Sequence, residues 1–126
     1  MRKVALLILF TLFLSANVFF AQSNPNSLTR AKKNGKWGFL NGSGSFVIPP
    51  QFDWVSHFSE GLASARIIKS NRYLRCGYLD RQGQWAIAPQ FELCEPFSHG
   101  TAKVILGQWH WIDKQGKVLA EKPPSQ

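Results

Sequence analysis

Acidic residues, histidine and cysteine are all scarce in this chain. Against 15 lysines and arginines stand only 7 aspartates and glutamates, with 3 histidines and 2 cysteines in 126 residues. His57, His99 and His110 share no spacing with one another or with a cysteine that suits zinc, so no metal site is expected. A serine or cysteine nucleophile needs a base within reach and a third group to orient that base. Nothing near Ser59, Ser98, Cys76 or Cys94 supplies such a set, and no catalytic residue or cofactor is expected. Asp53, Glu60, Glu92 and Glu95 could in principle pair for glycoside hydrolysis, which keeps an unrecognised hydrolase as one reading.

Long apolar runs are equally few, and the one present is at the amino terminus. Met1-Arg2-Lys3 precedes Val4 to Leu14, the charged start and apolar stretch of a secretory signal peptide. Small residues at Ala21 and Ser23 place cleavage after Ser23, with residues 1–23 removed and Asn24 first. An uncleaved anchor is the alternative, because the run to Ala21 is nearly long enough to span a bilayer. Export to the periplasm, the envelope or the medium is expected. Removal of Arg2 and Lys3 leaves 13 basic residues against 7 acidic ones, a charge of +6. An exported basic protein meets anionic lipids, envelope polysaccharides and acidic proteins, so nucleic acid is not expected as a partner. About 100 residues then remain, enough for one modest core.

What the chain does have is repetition. Trp37-Gly38-Phe39-Leu40, Ile48-Pro49-Pro50-Gln51-Phe52 and Phe58-Ser59-Glu60-Gly61-Leu62-Ala63 recur 39 positions later as Cys76-Gly77-Tyr78-Leu79, Ile87-Ala88-Pro89-Gln90-Phe91 and Phe97-Ser98-His99-Gly100-Thr101-Ala102. A third, truncated copy begins at Trp109-His110-Trp111-Ile112-Asp113. Such periodicity marks a stack of supersecondary units, none of which can bury its apolar face alone. The units cover about 36–67, 75–106 and 107–119 of a domain 36–120, between a polar, basic leader at 24–35 and a short tail at 121–126.

Each unit reads as a hairpin followed by a third strand. Asn41 to Gly44, Asp80 to Gly83 and Asp113 to Gly116 place Asx first and Gly fourth, as a type I turn closed by a left-handed residue requires. That turn sets Leu40 beside Phe46 and Gly38 beside Ile48, with Leu79, Trp85, Gly77 and Ile87 equivalent. Gly38 and Gly77 leave bare backbone, expected to be covered by an aromatic ring. Pro50 and Pro89 lack a donor and are expected to end the second strands. Leu62 to Ile67 and Thr101 to Leu106 should lie antiparallel to the next unit's first strand. Asp53 and Glu92 share a repeat position, which suits a scaffold role better than catalysis.

With Lys36 in front, these units resemble the WG (KWG) repeat, whose pattern runs Lys-Trp-Gly-Phe-Ile-Asp, then Ile-Pro-Pro, then Phe-Ser-Glu-Gly-Leu-Ala. The resemblance implies an all-β antiparallel array of three hairpin units, the last truncated, in an exported or envelope protein without a common catalytic residue. Cys76 in place of Trp and His110 in place of Gly depart from the pattern.

Function is read from what the repeat does not require. Lys32, Lys33 and Lys36 before the first unit, and Lys69, Arg72 and Arg75 in an insert, are basic and unrepeated, and variation on a scaffold is where binding usually sits. The expected function is non-catalytic contact with a protein or an anionic envelope component, with no membrane contact beyond an uncleaved signal segment. The alternative is carbohydrate binding by a row of exposed rings drawn from Trp37, Trp54, Trp85, Trp109, Trp111, Tyr73 and Tyr78, although packing accounts for many rings in a small domain. Cys76 and Cys94 could be bridged in an oxidising compartment if their α-carbons lie within about 7 Å, and the sequence leaves both states open.

Overall fold

The computed structural model describes residues 24–69 and 71–121; the expected signal segment and its cleavage point, and 122–126 of the tail, lie outside the described residues. Every regular element among those described is a strand. The first sheet holds β1 (Thr29–Lys33), β2 (Lys36–Leu40) and β3 (Phe46–Phe52). The second holds β4 (Trp54–Val55), β5 (Ala63–Ile68), β6 (Leu74–Leu79) and β7 (Trp85–Phe91). The third holds β8 (Leu93–Cys94), β9 (Thr101–Leu106), β10 (Gln108–Asp113) and β11 (Val118–Leu119). All neighbours are antiparallel, in chain order within the first two sheets and from β11 back to β8 in the third.

Repeat and sheet boundaries do not coincide. β5 pairs with β6 and β9 with β10, so the third strand of each unit joins the first hairpin of the next, as the short connections dictate. Each of the first two units therefore straddles two sheets. Phe39, Ile48 and Phe52 of the first sheet pack with Val55, Ala63, Ala65 and Leu79 of the second. Tyr78, Ile87 and Phe91, from the other face of the second sheet, pack with Phe97, Val104 and Ile112. The central strands β5 and β6 of the second sheet are thus buried on both faces over most of their length and show little polar alternation, whereas the edge strand β7 alternates buried and exposed residues.

The segment read as a leader contains β1. Asn34 and Gly35, at φ 51° and 80°, form a two-residue turn that pairs Lys33 with Lys36 and Thr29 with Leu40. An Asn-Gly pair is the strongest short hairpin signal, because both residues tolerate the left-handed conformation. β1 occupies the place that β5 and β9 take in the following sheets.

Two expectations about the Pro-bearing strands are corrected. Leu40 does pair with Phe46 and Leu79 with Trp85, but Ile48 lies opposite Phe39 and Ile87 opposite Tyr78. A register shift on either side of these pairs skips Gly38 and Gly77, and pairing resumes at Trp37–Phe52 and Cys76–Phe91. The prolines therefore do not end the strands: β3 and β7 are sheet edges, where a missing donor costs no ladder bond. Nor does a ring cover the glycines. A Cβ on Gly38 would sit 2.7 Å from Pro49 C and Pro50 N, and one on Gly77 equally close to Ala88 C and Pro89 N, so the bulged neighbour's backbone fills the space. β11 is only two residues long and pairs without a shift, so among the described residues no strand crosses His110, and that position accepts a side chain.

The three Asx-x-x-Gly turns share one geometry. Asn41 Oδ1 accepts from the N–H groups of Ser43 and Ser45, Asp80 Oδ1 from Gln82 and Gln84, and Asp113 Oδ1 from Gln115 and Lys117, all at 2.9–3.1 Å. Gly44, Gly83 and Gly116 follow at φ 85°, 82° and 83°.

Cys76 and Cys94 are bridged, with α-carbons 6.1 Å apart. They stand at the repeat positions of Trp37 and Val55, so a covalent link between the second and third sheets replaces an apolar pair.

Candidate functional site

The strand directions gather the hairpin tips at one end of the array and the Asx turns at the other. β2, β6 and β10 all run from a tip toward an Asx turn, and the tips are Asn34-Gly35, the insert between β5 and β6, and Gly107. Two carboxylates fasten neighbouring tips together. Asp53 Oδ1 takes the Lys36 ammonium at 2.6 Å while its Oδ2 accepts the Ile68 N–H at 3.0 Å, joining the first tip to the second. The Lys36 hydrogen bond holds the Asp53 carboxyl below the usual carboxylate range; partial burial opposes this, and the Ile68 N–H adds to it. Glu92 occupies the same repeat position and accepts the Gly107 N–H at 2.9 Å, joining the second sheet to the third tip.

The basic residues singled out from sequence fall unevenly on this end. Lys33 and Lys36 flank the first tip and are exposed. Lys69 and Arg72 lie in the second tip, where Lys69 N–H donates to Tyr73 O and Arg72, at φ 63°, donates its N–H to Lys69 O. Arg75 is partly buried, donating to Leu74 O with its guanidinium 5.5 Å from the Tyr73 ring. Lys32 points instead along the sheet face, 5.8 Å from the centre of the Trp37 ring, beside Arg30, which binds Val55 O at 3.1 Å. Five of the six thus border two adjacent tips.

Sequence reasoning named Tyr73 and Trp109 among rings that could be exposed but missed the aliphatic part of this end. Ile68 is 56% exposed, Tyr73 61%, Leu74 46%, Leu106 46% and Trp109 47%. Ile68 pairs with Leu74 on the last rung before the second tip, while Leu106 adjoins the third tip and Trp109, the second residue of β10, lies two positions beyond Gly107. The signal present in the sequence was a run of aliphatic and aromatic residues in an insert that the repeat does not need.

The remaining candidates are occupied by the scaffold. Trp85 meets Phe52 edge-on at 5.7 Å, and Tyr78 packs on Phe97 at 4.7 Å while donating its hydroxyl to Glu95 O at 2.6 Å. Burial, with a lesser contribution from the Glu95 charge, raises the Tyr78 phenol well above its ordinary range. Glu60 binds the Gly100 N–H, so it, Asp53 and Glu92 each serve a backbone donor. Ser98 Oγ lies 2.9 Å from His99 Nδ1, a contact between adjacent exposed residues. A shallow cleft of about 420 Å³ is lined by Pro25, Leu28, Asn41, Val47, Gln82 and Arg81, the last hydrogen-bonded to Asn26 O. Among the described residues no three His, Cys, Asp or Glu side chains group as metal ligands.

Two segments match the family described as WG containing repeat, residues 37–67 and 77–108. The chain belongs to the WG-repeat family. Each matched segment begins at or just after a unit's first Trp or Cys and ends at or near a hairpin tip, so the WG unit is the hairpin, the bulge over its glycine and the returning third strand. Beyond the second matched segment, the described residues from Trp109 form one further hairpin, β10 with β11. Comparison with curated proteins and with solved structures returned no match.

Proposed function

We propose that this WG-repeat protein is an exported, non-catalytic module that contacts a protein or anionic component of the cell envelope through its row of hairpin tips. The observation that carries the reading is the collection of Lys33, Lys69, Arg72 and Arg75 around two adjacent tips, beside a Lys36 that Asp53 pairs, while Glu92 is turned onto the Gly107 N–H. A cluster of like charge raises the local concentration of an anionic partner and speeds encounter, an effect screened beyond about 8 Å at physiological ionic strength. The Cys76–Cys94 bridge supports export, since such links persist in oxidising compartments.

Binding to envelope extracts is the test. It should weaken steeply with added salt, and weaken when Lys69, Arg72 and Arg75 are together replaced by Ser, with the melting temperature nearly constant because solvated charges contribute little to folding. Binding that ignores both changes would overturn the proposal. A carbohydrate-binding reading is favoured by one observation: Trp109 is exposed on the outer face of the third sheet, with Lys103 Nζ 4.2 Å from its ring centre. Salt-insensitive binding that disappears in Trp109→Ala would select it.

A further inference from the structure

We propose that the row of hairpin tips is a peripheral membrane edge that docks on an anionic lipid bilayer. This rests on the proposed function of the same end, names its partner, and replaces the expectation that only an uncleaved signal segment touches a membrane. Charge alone would suit any polyanion, but the tips also carry aliphatic and aromatic side chains in the open. Five large apolar residues stand exposed there, Ile68, Tyr73, Leu74, Leu106 and Trp109. The two others exposed among the described residues, Val47 and Val118, follow the Asx turns at the opposite end. A protein that leaves most of its exposed apolar bulk at one edge is marking an interaction surface.

The composition of that edge fits a lipid interface on three counts. Ile68 and Leu74 face each other on the last rung of a hairpin and project with its tip, so they can enter the acyl boundary without moving backbone. Tyr73 and Trp109 have the amphipathic rings that favour the headgroup level. Lys33, Lys69, Arg72 and Arg75 stand near them on long stems, able to cover apolar groups while reaching lipid phosphates, whereas Lys36 is held by Asp53. The polar backbone of the tips is already satisfied in part, by Asp53 on Ile68 N–H, Glu92 on Gly107 N–H and the Lys69–Tyr73 turn, which lowers the cost of leaving water. A sugar polymer gives no reason for exposed Ile68 and Leu74. A projecting row is likewise a poor match for a preformed protein pocket.

Flotation of the purified chain with vesicles decides it. Wild type should float with equimolar phosphatidylcholine and phosphatidylglycerol and much less with phosphatidylcholine alone. Ile68→Ser, Tyr73→Ser and Leu74→Ser combined should lower partitioning roughly tenfold or more, whereas Val47→Ser with Val118→Ser, at the other end, should not. Any apolar amino-terminal segment is common to all these chains, so the differences report the tips. Lys69→Ser with Arg72→Ser should remove the preference for the anionic vesicles. Near-ultraviolet circular dichroism establishes that each variant is folded. Equal flotation of wild type and the apolar triple variant overturns the inference. Failure to float, combined with salt-sensitive binding to lipid-free dextran sulfate, overturns it while the proposed function stands. Failure to bind either material overturns both.

Discussion

The carboxylate of Glu60 accepts a hydrogen bond of 2.7 Å from the backbone N–H of Gly100, and Gly100 is the repeat equivalent of Gly61, Glu60's own neighbour. The second turns of successive units are therefore stacked and latched. Ser59 Oγ adds a bond of 2.7 Å to Phe97 O, and Lys114 from the third unit donates to Glu60 O at 3.0 Å. Replacement of Glu60 by Ala should cost about 1 kcal/mol, less than the usual figure for a bond to a charged group because the site is exposed. The ring of His99, at the matching position one unit on, contacts only its neighbour Ser98 Oγ by hydrogen bonding among the described residues, and His99→Ala should change urea stability by less.

Gly44 and Gly83 provide a paired test of how the turns are used. Both have φ above 80°, so a Cβ at either meets left-handed strain of about 1–2 kcal/mol. Space is open around Gly44, but a Cβ on Gly83 would lie 3.0 Å from Ile48 Cγ2 in the preceding unit. Gly83→Ala should therefore be the more destabilising in chemical denaturation, and equal losses would mean that Ile48 yields freely.

Reduction of the Cys76–Cys94 bridge should lower stability by about 3 kcal/mol, the usual effect for a loop of this size. Comparing melting temperatures with and without reductant, and for Cys76→Ala with Cys94→Ala, measures this. Thiol titration of the unfolded, unreduced protein should detect no free thiol.

Tyr78 predicts a response to alkali. Its phenol keeps its proton to higher pH in the folded chain than in the unfolded one, where it ionises near pH 10. Its contribution is therefore complete below pH 10 and declines as the pH rises above it. Tyr78→Phe should lose about 1 kcal/mol at neutral pH by leaving Glu95 O without its donor. The variant should also lack the wild type's Tyr78-dependent decline above pH 10, which denaturation across pH 8 to 11 would reveal.

The repeat, the Asx turns and the pairing of each third strand with the next unit were legible because they depend on local chemistry and short connections. Asn41, Asp80 and Asp113 announce their turns regardless of what packs above them. The bulge over Gly38 was not legible. Counting back from the turn assumes unbroken register, and only the path of Ile48 to Pro50 across the neighbouring strand shows that Gly is required for contact with backbone. β1 was available in Asn34-Gly35 but hidden by the lysines around it, which read equally well as a solvated linker. The apolar half of the tip end depended on knowing that Ile68 and Leu74 have no covering sheet, a matter of tertiary placement. The basic half needed only an insert that breaks the period.

The bridge between β6 and β8 also gives the array a mechanical polarity. Under tension on the two ends of the chain, the loop from Cys76 to Cys94 cannot lengthen, so the second and third sheets share load through a covalent tie. The first sheet meets the second through side-chain packing and weak bonds such as Arg30 to Val55 O. It should peel away first. In a single-molecule pulling trace the oxidised chain would stop short of the reduced one by the length of residues 77–93, and the compartment's redox state would thereby set how far this protein can stretch.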